Sequence, residues 1–137
     1  MSALQSFAYV ATPYTKFAGG IGEAFKLACV ATAELIRSGI PAYSPIVQSH
    51  PVAIFGGLDP FDHGLWLCMD EPLMQAARAL VVVRAEGWEE SAGINAELEF
   101  FTQANRPIFF FDPGRLTPEM CRPLLAALEL GKEAVTA

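Results

Sequence analysis

The stretch Ala79–Arg84, Ala-Leu-Val-Val-Val-Arg, narrows what this chain can fold into more than any other feature. An unbroken apolar run rich in β-branched valine has no polar alternation, so it suits a strand covered on both faces. Strands of that kind belong to parallel sheets, whose crossover helices lie above and below. Pro107–Asp112 repeats the pattern through Phe109-Phe110-Phe111 and reads as a second buried central strand. Ser6–Ala11 is a short β-prone run ended by Thr12-Pro13, and Pro41–Ser44 is a further strand stopped by Pro45.

Helical patterns fall between these runs. A glycine-rich stretch (Gly19, Gly20, Gly22) opens a helix reaching about Ser38, with Gly39 closing it. Within it Phe25, Cys29, Thr32 and Ile36 recur at helical spacing. Phe61–Ala77 is helical in pattern, with Pro72 expected to break or restart it, and Ser91–Asn105 is a helix. Thr117-Pro118 opens the last helix with an N-cap, a proline at its first position and Glu119 in its first turn. Ile46–Pro60, punctuated by proline and glycine, reads as a long, lid-like excursion.

The βα-βα-βα-βα order implies a three-layer, doubly wound α/β fold with a mainly parallel sheet, of the flavodoxin or Rossmann kind. At 137 residues, positions 1–137 make a single domain. Its ligand is expected at the carboxyl ends of the strands, where the strand order reverses.

Composition removes several classes of function. With 53% hydrophobic and 18% charged residues, the chain is not intrinsically disordered. A formal charge of −6 argues against a nucleic-acid partner, which needs a basic surface. No apolar run approaches the ~18 residues that span a bilayer, so no membrane partner is expected. No leader pattern opens the chain, and no signal peptide is expected. Cys29, Cys68 and Cys121 form no C-x-x-C pair and read as reduced core residues of a cytoplasmic protein. His50 and His63 lack a cysteine or second histidine nearby, so no metal site is expected. Gly19-Gly20-Ile21-Gly22 is not a dinucleotide fingerprint, because Phe25 stands where its last glycine belongs, and no cofactor is expected.

The strand ends deliver Thr12–Gly22, Pro45 onward, Ala85–Gly93 and Pro113–Thr117 to one edge of the sheet. The third segment is the most informative. Ser91 stands where an N-cap belongs. On a wheel at about 100° per residue with Ile94 at zero, Leu98 falls near +40° and Phe101 near −20°. Glu97 falls at about −60°, inside that apolar arc, whereas Glu99 near +140° faces away. A carboxylate there needs a partner or a purpose. Its side chain leans toward the helix N-terminus, over Gly93, which leaves a notch with an acid at its floor. The alternative makes Glu97 an ion-pair partner and Gly93 a point of close strand–helix packing.

Asp70 shares a helical face with Leu73, Met74 and Ala77, or else caps a helix just before Pro72. Trp66, one turn earlier, is a core residue or a surface on which a base stacks. Two carboxylates from different segments suit glycosidic bond cleavage, one as nucleophile and one protonating the leaving group. Gly20 offers a flexible helix start near a ligand, and Thr12 joins it as an expected substrate contact at the first strand end. Glu86, Glu89 and Glu90 around Trp88 form a solvated cluster.

Tyr9-Val-Ala-Thr-Pro-Tyr14, Asp70 seven residues before Ala77 and a valine-rich strand, and Ser91-x-Gly93-x-x-x-Glu97 resemble, in order, motifs of the nucleoside 2-deoxyribosyltransferase superfamily. The resemblance covers about residues 7–112 and implies the same parallel α/β sandwich. It implies Glu97 as the nucleophile that attacks the anomeric carbon, Asp70 as the acid near the leaving base, and Tyr9 as the tyrosine that orients the nucleophile. It sets Ser91 where relatives acting on deoxynucleoside monophosphates have a serine near the 5′-phosphate, a group favoured at a helix N-terminus. It also implies a homo-oligomer in which a neighbouring subunit completes the site, with a small-molecule nucleoside or nucleotide as ligand. The Ile46–Pro60 insert and the acidic loop depart from the pattern and mark a separate branch.

The leading expectation is therefore N-glycosidic cleavage or transfer on a nucleoside or nucleoside 5′-monophosphate. A non-catalytic module binding a nucleotide or an ADP-ribose-like ligand, an NAD glycohydrolase and a purely structural partner protein are the competing readings.

Overall fold

A computed structural model describes residues 6–136, with side chains described through residue 129. Four strands, β1 (Ala8–Ala11), β2 (Ala42–Tyr43), β3 (Ala79–Val83) and β4 (Ile108–Phe111), form one sheet in the order β2-β1-β3-β4. Every pairing is parallel, with Tyr9 opposite Leu80 and Val81 opposite Phe109. Five helices connect and cover it: α1 (Ile21–Arg37), α2 (Pro45–Gly56), α3 (His63–Ala76), α4 (Ala92–Gln103) and α5 (Pro118–Thr136). The chain is a three-layer, doubly wound α/β fold.

The period of two in the strands divides the core between the two faces. Val10, Val81, Val83 and Phe111 point to one side, where Ala31 and Leu35 of α1 and Cys121, Leu124 and Leu128 of α5 cover them. Tyr9, Ala11, Leu80 and Val82 point to the other, against Met74 of α3 and Ile94 and Phe101 of α4. β3 is buried at all five positions, as its composition requires.

Several local expectations are corrected. Ile46–Pro60 is not an excursion: most of it is α2. Ser44 caps that helix by accepting from Val47 N at 3.4 Å, Pro45 starts it, and Gly57 ends it in the left-handed conformation at φ 77°. Pro51 lies inside, where it removes one intrahelical bond, yet the capped helix packs on α1 and α3 and continues. Pro72 likewise interrupts nothing, because α3 runs through it. Asp62, not Asp70, caps α3, accepting from Leu65 N at 3.2 Å. β4 is an edge strand and not a central one, so Phe110 is exposed and Phe109 half-buried. Of the cysteines only Cys121 is core; Cys29 is half-buried, Cys68 is exposed, and all three thiols are free. Among the described residues, no helix is long and apolar enough to cross a membrane.

Candidate active site

β1 connects leftward to β2 while β3 connects rightward to β4, so the order reverses between β1 and β3. At the carboxyl ends of these strands lies a cavity of about 220 Å³. The β1–α1 loop supplies Thr12, Tyr14 and Thr15; α2 supplies Pro45, Ile46 and Ser49; Pro60 follows. His63, Trp66, Leu67 and Asp70 of α3 and Ala92, Gly93, Ala96 and Glu97 of α4 complete the wall. Glu97, Asp70, Trp66, Gly93 and Thr12, predicted from separate parts of the sequence, therefore meet at one hollow.

α4 begins at Ser91, whose hydroxyl accepts from Ile94 N at 3.2 Å. That start sets the helix phase: Ile94, Glu97 and Phe101 are its buried residues, and Glu99 is exposed. Glu97 is only 8% exposed, and among the described residues no lysine or arginine pairs with it. The ion-pair alternative is thereby removed. A Cβ built on Gly93 would meet only Ser91 Oγ, at an ordinary 3.8 Å. Close strand–helix packing does not demand a glycine there, and its missing side chain leaves the notch open.

Asp70 sits mid-helix on α3, half-buried, one turn beyond Trp66. The Trp66 indole is anchored by its Nε1, which donates to Asp59 O at 2.8 Å. Burial raises the Asp70 carboxyl to about 6. Glu97 rises further, to about 8: burial is the main cause, the Tyr9 hydroxyl opposes it, and the Asp70 charge adds to it. The two acids thus feel one another across the cavity.

Tyr9 is fully buried and lies behind Glu97 and not on the cavity wall. Its hydroxyl is near enough to influence the Glu97 carboxyl, although no group meets it with full hydrogen-bond geometry. Burial and the charges of Glu97 and Asp70 hold it protonated far above the ordinary tyrosine range. It can act on a ligand only through Glu97, which makes it a positioning residue. Thr12 Oγ1, in contrast, is a buried polar atom without a partner on a residue that lines the hollow.

Ser91 and Gly20 are not brought to the cavity wall. The Ser91 hydroxyl accepts from the α4 backbone as its cap. Gly20 is exposed at the start of α1, its N–H donates to Phe17 O at 2.9 Å, and its carbonyl accepts from Ala24 N. Glu86, Glu89 and Glu90 are exposed, as a solvated cluster should be. Tyr14, Ser49, His63 and Leu67 line the cavity without having been expected there from sequence. For the last two the signal was present, since positions 63, 67 and 70 share a helical face.

A doubly wound α/β domain with a dicarboxylate hollow at its switch point is what the fold and site define. A family model described as a domain of unknown function, DUF1937, matches residues 6–113, and the chain belongs to that family. The matched segment contains the whole sheet and every residue lining the cavity, while α5 follows it. No curated protein matches the sequence.

Proposed function

We propose that the protein breaks the N-glycosidic bond of a nucleoside through Glu97, passing the sugar to water or to a second base. The observation that carries this reading is a buried, unpaired glutamate at the floor of an open hollow, with a second acid on the facing helix. In the first step a Glu97 carboxylate oxygen bonds to the anomeric carbon as the carbon–nitrogen bond breaks. The Asp70 proton moves to the departing base nitrogen. In the second, Asp70 takes a proton from water, or from the incoming base, as that acceptor displaces Glu97 from the sugar.

The proton inventory fits this sequence. Between about pH 6 and pH 8, the values of Asp70 and Glu97, the pair holds one proton. Burial raises Glu97 more than Asp70, so Glu97 competes for that proton in the empty site. The reaction needs the same single proton on Asp70. Positive charge developing on the sugar favours ionised Glu97, and a base nitrogen beside Asp70 draws the proton there. Tyr9, which eases ionisation of Glu97, works in the same direction.

Among the described residues lining the cavity there is no lysine or arginine. With Ser91 off the cavity wall, this supports a nucleoside over its 5′-monophosphate. The apolar wall, with Trp66 and Leu67 beside Asp70, suits the flat face of a base. The homo-oligomer belongs to the same reading. Val52, Ile54, Phe55, Phe61, Leu67 and Met69 leave an apolar surface on and between α2 and α3, with Phe55 at 90% exposure. Free thiols agree with a cytoplasmic setting. A second reading, a binding module without turnover, is favoured by the burial that raises the Glu97 carboxyl, because a protonated acid is a poor nucleophile.

The test is base release, followed by chromatography, from 2′-deoxynucleosides, ribonucleosides, their 5′-monophosphates and NAD, with and without a second free base. Release from a nucleoside that Glu97→Ala abolishes supports the proposal. Binding without release favours the second reading, and release that survives Glu97→Ala overturns the nucleophile.

A further inference from the structure

One wall of the cavity carries a polar pair that the glycosidic step does not use. Tyr14, in the loop after β1, lines the cavity, and its Oη lies 2.6 Å from Nδ1 of His50 on α2. His50 is itself held in place. Its ring stacks on Phe25 of α1, with centroids 4.6 Å apart and planes at 22°, and meets the Tyr14 ring edge-on at 5.7 Å. Phe25 thus backs His50, and His50 meets the Tyr14 phenol from a helix 36 residues along the chain. The contact takes its direction from the imidazole tautomer. Because an imidazole nitrogen is a better acceptor than a phenol oxygen, the proton is assigned to Tyr14, with Nδ1 of His50 accepting. Burial raises the Tyr14 phenol above its ordinary value, which keeps that proton in place. The phenol oxygen retains its lone pairs and, with its proton committed, serves only as an acceptor.

We infer that Tyr14, fixed by His50, is a specificity-determining residue of the cavity: its oxygen reads a hydrogen-bond donor on the ligand. The inference rests on the nucleoside reading and names the part of that ligand still unassigned, a sugar hydroxyl or an exocyclic amine of the base. Glu97 and Asp70 line the same cavity and bring further polar groups to the ligand. His50 touches the ligand only through Tyr14 and is a positioning residue. A site that pairs with a donor rejects the analogue lacking it, because the buried acceptor is then left empty.

The experiment is calorimetric binding to the full chain carrying Glu97→Gln, so that turnover does not interfere. The probes are 2′-deoxyadenosine, purine 2′-deoxyriboside (no amine), 2′,5′-dideoxyadenosine and 2′,3′-dideoxyadenosine. Adding Tyr14→Phe weakens 2′-deoxyadenosine about 3- to 10-fold and leaves unchanged the one probe that already lacks the donor being read. His50→Asn keeps an acceptor near the Nδ1 position but loses the stack on Phe25; His50→Phe keeps the stack and loses the acceptor. The Asn variant is expected to bind like the parent, and the Phe variant like Tyr14→Phe. The reverse order makes His50 a packing residue and overturns its positioning role. Equal weakening of every probe by Tyr14→Phe, weakening of none, or failure of all probes to bind at millimolar concentration overturns the specificity role. Base release by the unsubstituted chain is measured alongside. Binding without release removes the glycosidic step, yet the affinities still decide the role of Tyr14.

Discussion

The Tyr9 hydroxyl on β1 and the Glu97 carboxyl on α4 are both buried and act on each other: burial first, and then the carboxylate charge, keeps the phenol protonated, and the phenol eases ionisation of the acid. Tyr9→Phe removes that donor and nothing else of similar size. It is expected to lower kcat roughly 10- to 100-fold, the range for a hydrogen bond to a charged group. Without the donor Glu97 holds its proton more tightly, so the alkaline limb of the pH–rate profile moves upward. Stability should be unchanged or higher, because Tyr9 Oη has no full hydrogen-bond partner in the unliganded protein. Loss of stability with an unmoved alkaline limb would make Tyr9 a packing residue.

On the proposed function, the unsubstituted protein should show a bell-shaped profile of base release. Its acid limb lies near pH 6 and its alkaline limb near pH 8, the values of Asp70 and Glu97. Both limbs belong to the pair, since catalysis needs its singly protonated form. Asp70→Asn removes the proton donor and leaves ionisation of Glu97 as the requirement, so it should abolish the alkaline limb, keep an acid limb and slow release of poorly leaving bases most. A flat profile across this window would contradict the shared-proton account.

Folding stability should depend on the same proton. Glu97 in the folded chain has its value raised from 4.5 to about 8, so the native state binds more protons than the unfolded chain in between. That contribution is complete below about pH 4.5 and is lost as pH rises through 8, at about 1.4 kcal/mol for each pH unit between those two values. Glu97→Gln keeps the shape and discards the titration. Its melting temperature should therefore exceed the parent's at pH 8.5, and the gap should close toward pH 5. Denaturation followed across that range checks it, and a gap that widens toward acid would refute it.

Gly93→Ala offers a case in which stability and function part. Gly93 lies in the first turn of α4, and an added Cβ clashes with nothing. Alanine should stabilise the helix by about 0.5–1 kcal/mol. The same methyl fills the notch above Glu97, so KM should rise severalfold. A variant that is more stable and binds as well as the parent would show that the notch does not hold ligand.

Self-association should run through α2 and α3. Phe55→Glu places a charge on the most exposed large apolar side chain. It is expected to shift the protein to a smaller species in sedimentation while leaving its circular dichroism unchanged. A protein that is monomeric before substitution would contradict this.

Much of the fold was legible because burial leaves a periodic mark. Ala79–Val83 announced a strand covered on both faces, and β1, α1 and α4 followed from turn residues and helical spacing. Glu97 was legible as an acid on an apolar arc, a placement that solvation alone disfavours. What failed was punctuation. Pro51 and Pro72 look like breakers, but a capped helix packed on its neighbours tolerates a lost bond, so α2 and the mid-helix setting of Asp70 were missed. The edge position of β4 was hidden because Phe109-Phe110-Phe111 has the composition of a central strand. The Tyr14–His50 contact joins residues 36 apart and leaves no local signal. Ser91 and Gly20 were placed at the correct helix ends, yet neither lies on the cavity wall.

The account stands on Glu97 bonding covalently to the sugar. Rapid acid quenching of the protein during turnover of a 2′-deoxynucleoside, then mass spectrometry of its peptides, tests this directly. A deoxyribosyl addition on the peptide containing Glu97, absent from Glu97→Gln, is the expected result. Base release that continues in Glu97→Ala would contradict it, and so would a sugar adduct on a different residue.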